Sequence, residues 1–98
     1  MSAVKETIIS GEKAQKVADA LKSVNIKILK LTQTEPLYIS SIAKKLGVSE
    51  AYISERVSTL EALGLVTIKY SRGQKGIRKI VTSDLDRIII NLKDEEVQ

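Results

Sequence analysis

The chain has 98 residues and neither Cys nor His, so disulfides, thiolate metal sites and the usual imidazole general base are excluded. A chain of this length buries roughly 60–65% of the surface its unfolded form exposes, enough for one modest core. The net charge of +4 is unevenly spread: segments 1–35, 36–66, 67–83 and 84–98 carry +2, 0, +5 and −3, the +5 being Lys69, Arg72, Lys75, Arg78 and Lys79 with no acid among them. Such a concentration suits contact with a polyanion.

In chain order, Ser2 to Ile9 is a lead-in without a clear pattern. It lacks the apolar core of a signal peptide, and nothing in the chain approaches the roughly 18 apolar residues of a membrane span. A cytoplasmic protein with no membrane partner is expected. From Gly11 to Ser23, Ala14, Val17, Ala18 and Leu21 recur at helical spacing, with Ser10 placed to cap the helix. Val24 to Thr32 continues with Val24, Ile28 and Leu31 on one stripe and Ile26 and Leu29 beside it. A break at Ser23–Asn25 is open at this stage. Pro36 ends the run, because the residue before proline is driven out of the helical region.

Leu37-Tyr38-Ile39 reads as a brief strand. A helix capped by Ser40 or Ser41 then runs to Leu46, with Ile42, Ala43 and Leu46 inward, and Gly47 ends it in a left-handed conformation. Ser49 caps the next helix, whose inward stripe is Ile53, Val57, Leu60 and Leu63, and Gly64 stops it. Two helices joined by a Gly-Val turn within residues 40–64 have the spacing of a helix-turn-helix. Two β-rich runs follow, Leu65 to Tyr70 and Ile77 to Thr82. The intervening Ser71-Arg72-Gly73-Gln74-Lys75-Gly76 carries two glycines for a hairpin turn. Leu85 to Leu92 admits two readings: an amphipathic helix opened by a Ser83–Asp86 capping box, or a strand over the β-branched Arg87 to Leu92, which is favoured. Lys93 to Gln98 is expected to fray.

The fold class expected is therefore α+β, mainly helical: a winged helix-turn-helix with a two-stranded β-wing. It makes a single domain over 1–98, with N-terminal helices at 10–33, the helix-turn-helix at 40–64, the wing at 65–83 and a terminal strand or helix at 84–93.

The run Ile42-Ala43-Lys44-Lys45-Leu46-Gly47-Val48-Ser49, followed by Ile53 to Val66 with its "LEALGLV" ending, resembles the ArsR-type winged-helix transcriptional regulators over about half the chain. The resemblance implies a dimer joined through terminal elements and bound to a two-fold symmetric DNA operator. Metal-sensing members use Cys, His and acidic ligands; without Cys or His a soft-metal sensor is excluded here, and no metal or cofactor is expected. Where members often carry polar or basic residues on the exposed recognition-helix face, this chain has Glu50 and Glu55.

Placing Ile53 at the core sets Val57 and Leu60 within about 40° of it, at 100° per residue. Ala51, Glu55 and Ser58 then point outward, flanked by Tyr52, Ser54 and Thr59. In a major groove, Ser54 and Ser58 could bond base edges, Ala51 could touch a thymine methyl and Glu55 could accept from cytosine; Ser49 serves first as a cap. Lys44 and Lys45 are expected to approach the backbone from the preceding helix, and Arg72, Gln74 and Lys75 from the wing tip. Lys69, Arg78 and Lys79 lie on wing strands whose alternation lets only some face DNA.

The apolar stripe Ala14 to Leu21 and the segment Leu85 to Leu92 exceed what such a core needs, which predicts a homodimer. Double-stranded DNA is thus the expected partner, with an unidentified small-molecule effector left open and no catalysis expected. Two other readings stand beside this one: a winged-helix module that binds protein, and a sequence-indifferent DNA-coating protein.

Overall fold

The computed structural model describes residues 3–73 and 76–93. Among them run β1 (Glu6–Ile9), α1 (Gly11–Ala20), α2 (Ser23–Thr34), β2 (Leu37–Tyr38), α3 (Ile39–Leu46), α4 (Glu50–Ala62), β3 (Thr67–Gly73), β4 (Gly76–Thr82) and β5 (Arg87–Ile90). β2, β4 and β3 form an antiparallel sheet, and β1 pairs with β5 in parallel. Four helices against a small antiparallel sheet make an α+β winged helix-turn-helix, as the sequence pattern predicts. The wing differs in one respect: Leu37 and Tyr38 pair with Val81 and Ile80, so the sheet has three strands, not two.

The first two helices are separate, but the break falls at Leu21–Lys22, and Ser23–Asn25 lie inside α2. Lys22 N–H donates to Ala20 O at 2.9 Å, and Asn25, fully buried, donates its side-chain amide to the same carbonyl at 2.6 Å. One polar side chain thereby satisfies the last carbonyl of α1 from within the first turn of α2, although its own side-chain oxygen is buried without a partner. Ser10 occupies the cap position of α1 but makes no side-chain cap bond. The helix-turn-helix begins earlier than expected. Tyr38, extended and tied to β4, is the N-cap residue of α3, so Ser40 and Ser41 lie inside the helix and cap nothing. The strand hands its last residue straight to the helix, which leaves no room for a serine cap.

Both ends of the turn follow local chemistry. Gly47 sits at φ 70° and Gly64 at φ 75°. Beyond them, Val48 N–H reaches Ala43 O at 3.0 Å and Leu65 N–H reaches Leu60 O at 2.9 Å, the bond that closes a left-handed helix end. Ser49 Oγ accepts from Tyr52 N–H at 3.1 Å and caps α4.

The core lies between α1, α2, α3, α4 and the inner face of the sheet. Val17, Ile28, Ile42, Ile53, Val57, Leu60 and Val81 expose nothing to solvent. Each such side chain contributes about 1.5–3 kcal/mol by leaving water. The expected stripes need adjustment. Ala14 and Val17 are buried, but Ala18 is exposed and Ala20 takes its place; in α2, Ile28 is buried with Asn25 and Thr32, while Ile26 is exposed. Leu46 and Leu63 are half-buried at the core's edge.

The N-terminal lead-in is ordered as a strand, and residues 87–90 are a strand and not a helix. Ser83 opens no helix: its hydroxyl donates to Leu65 O at 3.1 Å. Asp86 instead accepts from Lys5 N–H at 2.9 Å and from the Gln33 amide at 2.8 Å, fixing the start of the β1–β5 ribbon. Ile9, Ile88 and Ile90 pack on the core from this ribbon, whereas Ile8 is exposed on its other side. The tail 94–98, expected to fray, lies outside the described residues. No helix among them is long and apolar enough to cross a membrane.

Candidate nucleic-acid interface

α4 presents its outer side because its inner one is fully committed to the core: Ile53, Val57 and Leu60 are wholly buried. Ala51, Tyr52, Glu55 and Ser58 are exposed along the helix, as expected, while Ser54 is half-buried. Glu50 occupies the first turn, where a carboxylate suits the positive end of the helix dipole, and this gives it a structural use. Glu55 does not stand alone. Its carboxylate accepts from the Arg56 guanidinium at 3.1 Å, and that guanidinium lies 6.0 Å from the Tyr52 ring centroid. Arg56 therefore partly offsets the one acid at the centre of the exposed face and steadies Tyr52 one turn earlier. Lys44 and Lys45 are exposed in the last turn of α3, immediately before the Gly47 turn. The structure thus gathers Lys44, Lys45, Ser49, Ala51, Tyr52, Glu55 and Ser58 around the turn and α4.

The wing strands run further than expected, with Gly73 directly opposite Gly76. Register divides its cations between two faces. Ile68 opposes the buried Val81, so by alternation Tyr70, Arg72, Ile77 and Lys79 share the core-side face, while Lys69 and Arg78 share the other with Tyr38. Arg72 and Arg78 are exposed and Lys79 is half-buried. Arg78 lies 3.7 Å above the Tyr38 ring centroid, a close cation–π stack that fixes its direction. Tyr70 and Ile77 are strongly exposed, at 65% and 70%, and give the protruding hairpin an apolar strip flanked by Arg72. Gln74 and Lys75, expected at the wing tip, lie outside the described residues.

Residues 24–78 match the helix-turn-helix (HTH) domain family. The chain belongs to that family. Among solved structures it is similar to reduced HlyU from Vibrio cholerae N16961, at 21% identity over 72% of each chain with a TM-score of 0.62. A possible transcriptional regulatory protein (fragment 1–100) from Mycobacterium bovis is similar at 20% identity, covering 74% of this chain and 75% of that one, with a TM-score of 0.63. The transcriptional regulator BldR from Sulfolobus solfataricus shares 29% identity over 74% of this chain and 52% of its own, with a TM-score of 0.54. No curated protein matches the chain. The match to the family runs from α2 through α3, α4 and β3 into the start of β4.

Four contributors escaped the sequence pattern. Tyr38 looks like an ordinary strand aromatic until β2 pairs with β4 and brings Arg78 onto it. Arg56 lies by the Tyr52 ring and also holds Glu55. Lys22 and Lys27, ordinary helical lysines in the sequence, line one cleft with Tyr52. Only the Glu55–Arg56 adjacency and the Tyr52–Arg56 spacing of one helical turn carry a local signal.

Proposed function

We propose that this helix-turn-helix protein is a double-stranded DNA-binding transcriptional regulator of the ArsR-type winged-helix kind, acting as a homodimer. α4 enters the major groove through its first two turns, and the wing lies on the backbone or in the minor groove. The observation that carries the reading is the pairing of a core-anchored helix-turn-helix with a protruding hairpin holding five cations and no acid between residues 67 and 83. Phosphate contacts of that type position a protein without reading sequence. Ser58, Ala51 and Glu55 are the candidates for base readout, with Ser54 restricted by its partial burial. Lys44 and Lys45 join the wing as backbone contacts. The descriptions of two structural relatives as transcriptional regulators agree with this assignment.

The dimer is supported by the β1–β5 ribbon. Parallel strands occur almost only where both faces are covered, and a lone two-stranded sheet is marginal in water. Here one face meets the core and the other presents Ile8, 60% exposed, beside Ile89. A second copy covers that face, and its α4 needs to sit about 34 Å from the first to read the next major groove.

The test is selection of bound duplexes from a random pool, followed by competition between the selected and random sequences. A regulator enriches a symmetric site and prefers it by at least about 1,000-fold. Equal affinity for all duplexes would make the protein a DNA coat, and failure to bind any duplex would favour a protein-binding module, which the acids of α4 would suit.

A further inference from the structure

Beyond α4 and the wing, a second cationic surface adjoins the recognition helix, and no residue of it comes from β3 or β4. At the start of α2, Lys22, Ser23 and Lys27 rim an open cleft of about 420 Å³ whose apolar floor is Val24, Leu46 and Val48 and whose far edge is Tyr52 of α4. Lys22 and Lys27 are exposed, and neither ammonium has an ion-pair partner among the described residues. Lys22 stands at the N-cap of α2, where a cation opposes the helix dipole, so its charge does nothing for the helix. α2 contains no acid. Asp19 shares a neighbouring groove with Lys16, Lys22 and Arg56, and does not line the cleft itself.

Tyr52 makes this arrangement more than a solvated lysine pair. It is 42% exposed, lies in the first turn of the helix expected to enter the major groove, and is steadied by Arg56. Whatever lies along the N-terminal end of α4 therefore meets two unpaired ammonium groups and a phenol at the rim of one cleft. Chemistry of that kind recognises a phosphodiester: two mobile cations supply charge, and the phenol supplies a directed hydrogen-bond donor.

We propose that the cleft formed by Lys22, Lys27 and Tyr52 clamps a DNA backbone strand bordering the major groove, giving the protein a second phosphate grip separate from the wing. The inference rests on the DNA-binding reading and deepens it. It assigns part of the affinity to Lys22 and Lys27, which lie outside both the helix-turn-helix and the wing. Contacts of this kind, made to phosphate oxygens, position the protein without reading sequence.

The experiment measures binding of the full chain to a selected and a random 30-base-pair duplex across a salt series. Lys22→Gln/Lys27→Gln is compared with Lys30→Gln/Lys93→Gln, which removes the same charge from sites that do not line the cleft. Loss of two phosphate contacts makes the log–log salt slope shallower by about 1.8 and weakens binding on the order of fifty-fold at 0.1 M salt, equally for both duplexes. The control pair leaves the slope at the wild-type value. Tyr52→Phe, which keeps the ring and removes the hydroxyl, weakens both complexes several-fold. All these side chains are exposed, so unchanged circular dichroism and thermal unfolding confirm that folding is intact. A wild-type slope in Lys22→Gln/Lys27→Gln, with Arg72→Gln/Lys75→Gln still impaired, overturns the clamp and leaves the DNA-binding reading standing. Equal losses in the cleft and control pairs also overturn it, by reducing the effect to net charge. If the wild-type chain ignores both duplexes at low salt, the DNA-binding reading fails first and the clamp with it.

Discussion

α4 and the wing meet the same expected partner with opposite electrostatics. Between Glu50 and Ala62 the charged residues are Glu50, Glu55, Arg56 and Glu61, a net −2, whereas residues 67–82 carry five cations and no acid. The helix is held rigidly, with three side chains wholly buried and a hydrogen-bonded cap; the hairpin projects with Tyr70, Arg72 and Ile77 exposed. Geometry and attraction are thus supplied by different parts of the molecule. A helix with net negative charge cannot draw itself to phosphate, so any groove contact it makes depends on cations elsewhere. In exchange, its position is set to within the tolerance of a packed core, which base readout requires.

The division can be broken at its rigid end first. Leu60→Ala removes a fully buried side chain from the middle of α4. It is expected to cost about 2–5 kcal/mol of stability, read by urea unfolding. Disabling the wing should leave stability alone and act on binding: Arg72→Gln/Lys75→Gln is expected to weaken duplex binding on the order of fifty-fold at 0.1 M salt, with an unchanged urea midpoint. Ser49→Ala tests whether the cap matters to the helix more than to DNA. It should cost about 1 kcal/mol of stability, seen as a lower thermal midpoint. The smallest effect is the most diagnostic of the charge contrast. Glu55→Gln removes an acid from the outer face and frees Arg56; binding to random duplex should tighten a few-fold, and a loss of affinity would instead assign Glu55 to base contact.

What the sequence revealed tracks how local each determinant is. Gly47, Ser49 and Gly64 fix the ends of α3 and α4 through bonds spanning three to five residues, and all three are readable one residue at a time. The stripe of Ile53, Val57 and Leu60 is likewise a property of one helix. By contrast, the β1–β5 pairing joins residues 81 positions apart, such as Glu6 and Arg87. Neither four-residue strand announces its partner, and the β-branched run at 88–90 fits a strand without saying against what. The false caps at Ser40 and Ser41 have the same origin. Serine before an apolar periodic run is a sound local signal, but pairing of Tyr38 with Ile80 set the helix start from outside the segment. At the interface, the exposed residues of α4 followed from helical phase alone. The Arg78–Tyr38 stack and the cleft joining Lys22 and Lys27 to Tyr52 exist only after the chain folds back on itself, so composition could locate the wing's charge but not its division between two faces.

The salt dependence of duplex binding by the wild-type chain and by Arg72→Gln/Lys75→Gln addresses the central claim most directly. A wing that grips phosphate predicts a steep decline of log K with log salt concentration for the wild type, and a slope shallower by about 1.8 in the variant, with the same shift on any sequence. Identical slopes in the two proteins, or no binding of double-stranded DNA at low ionic strength, would contradict it.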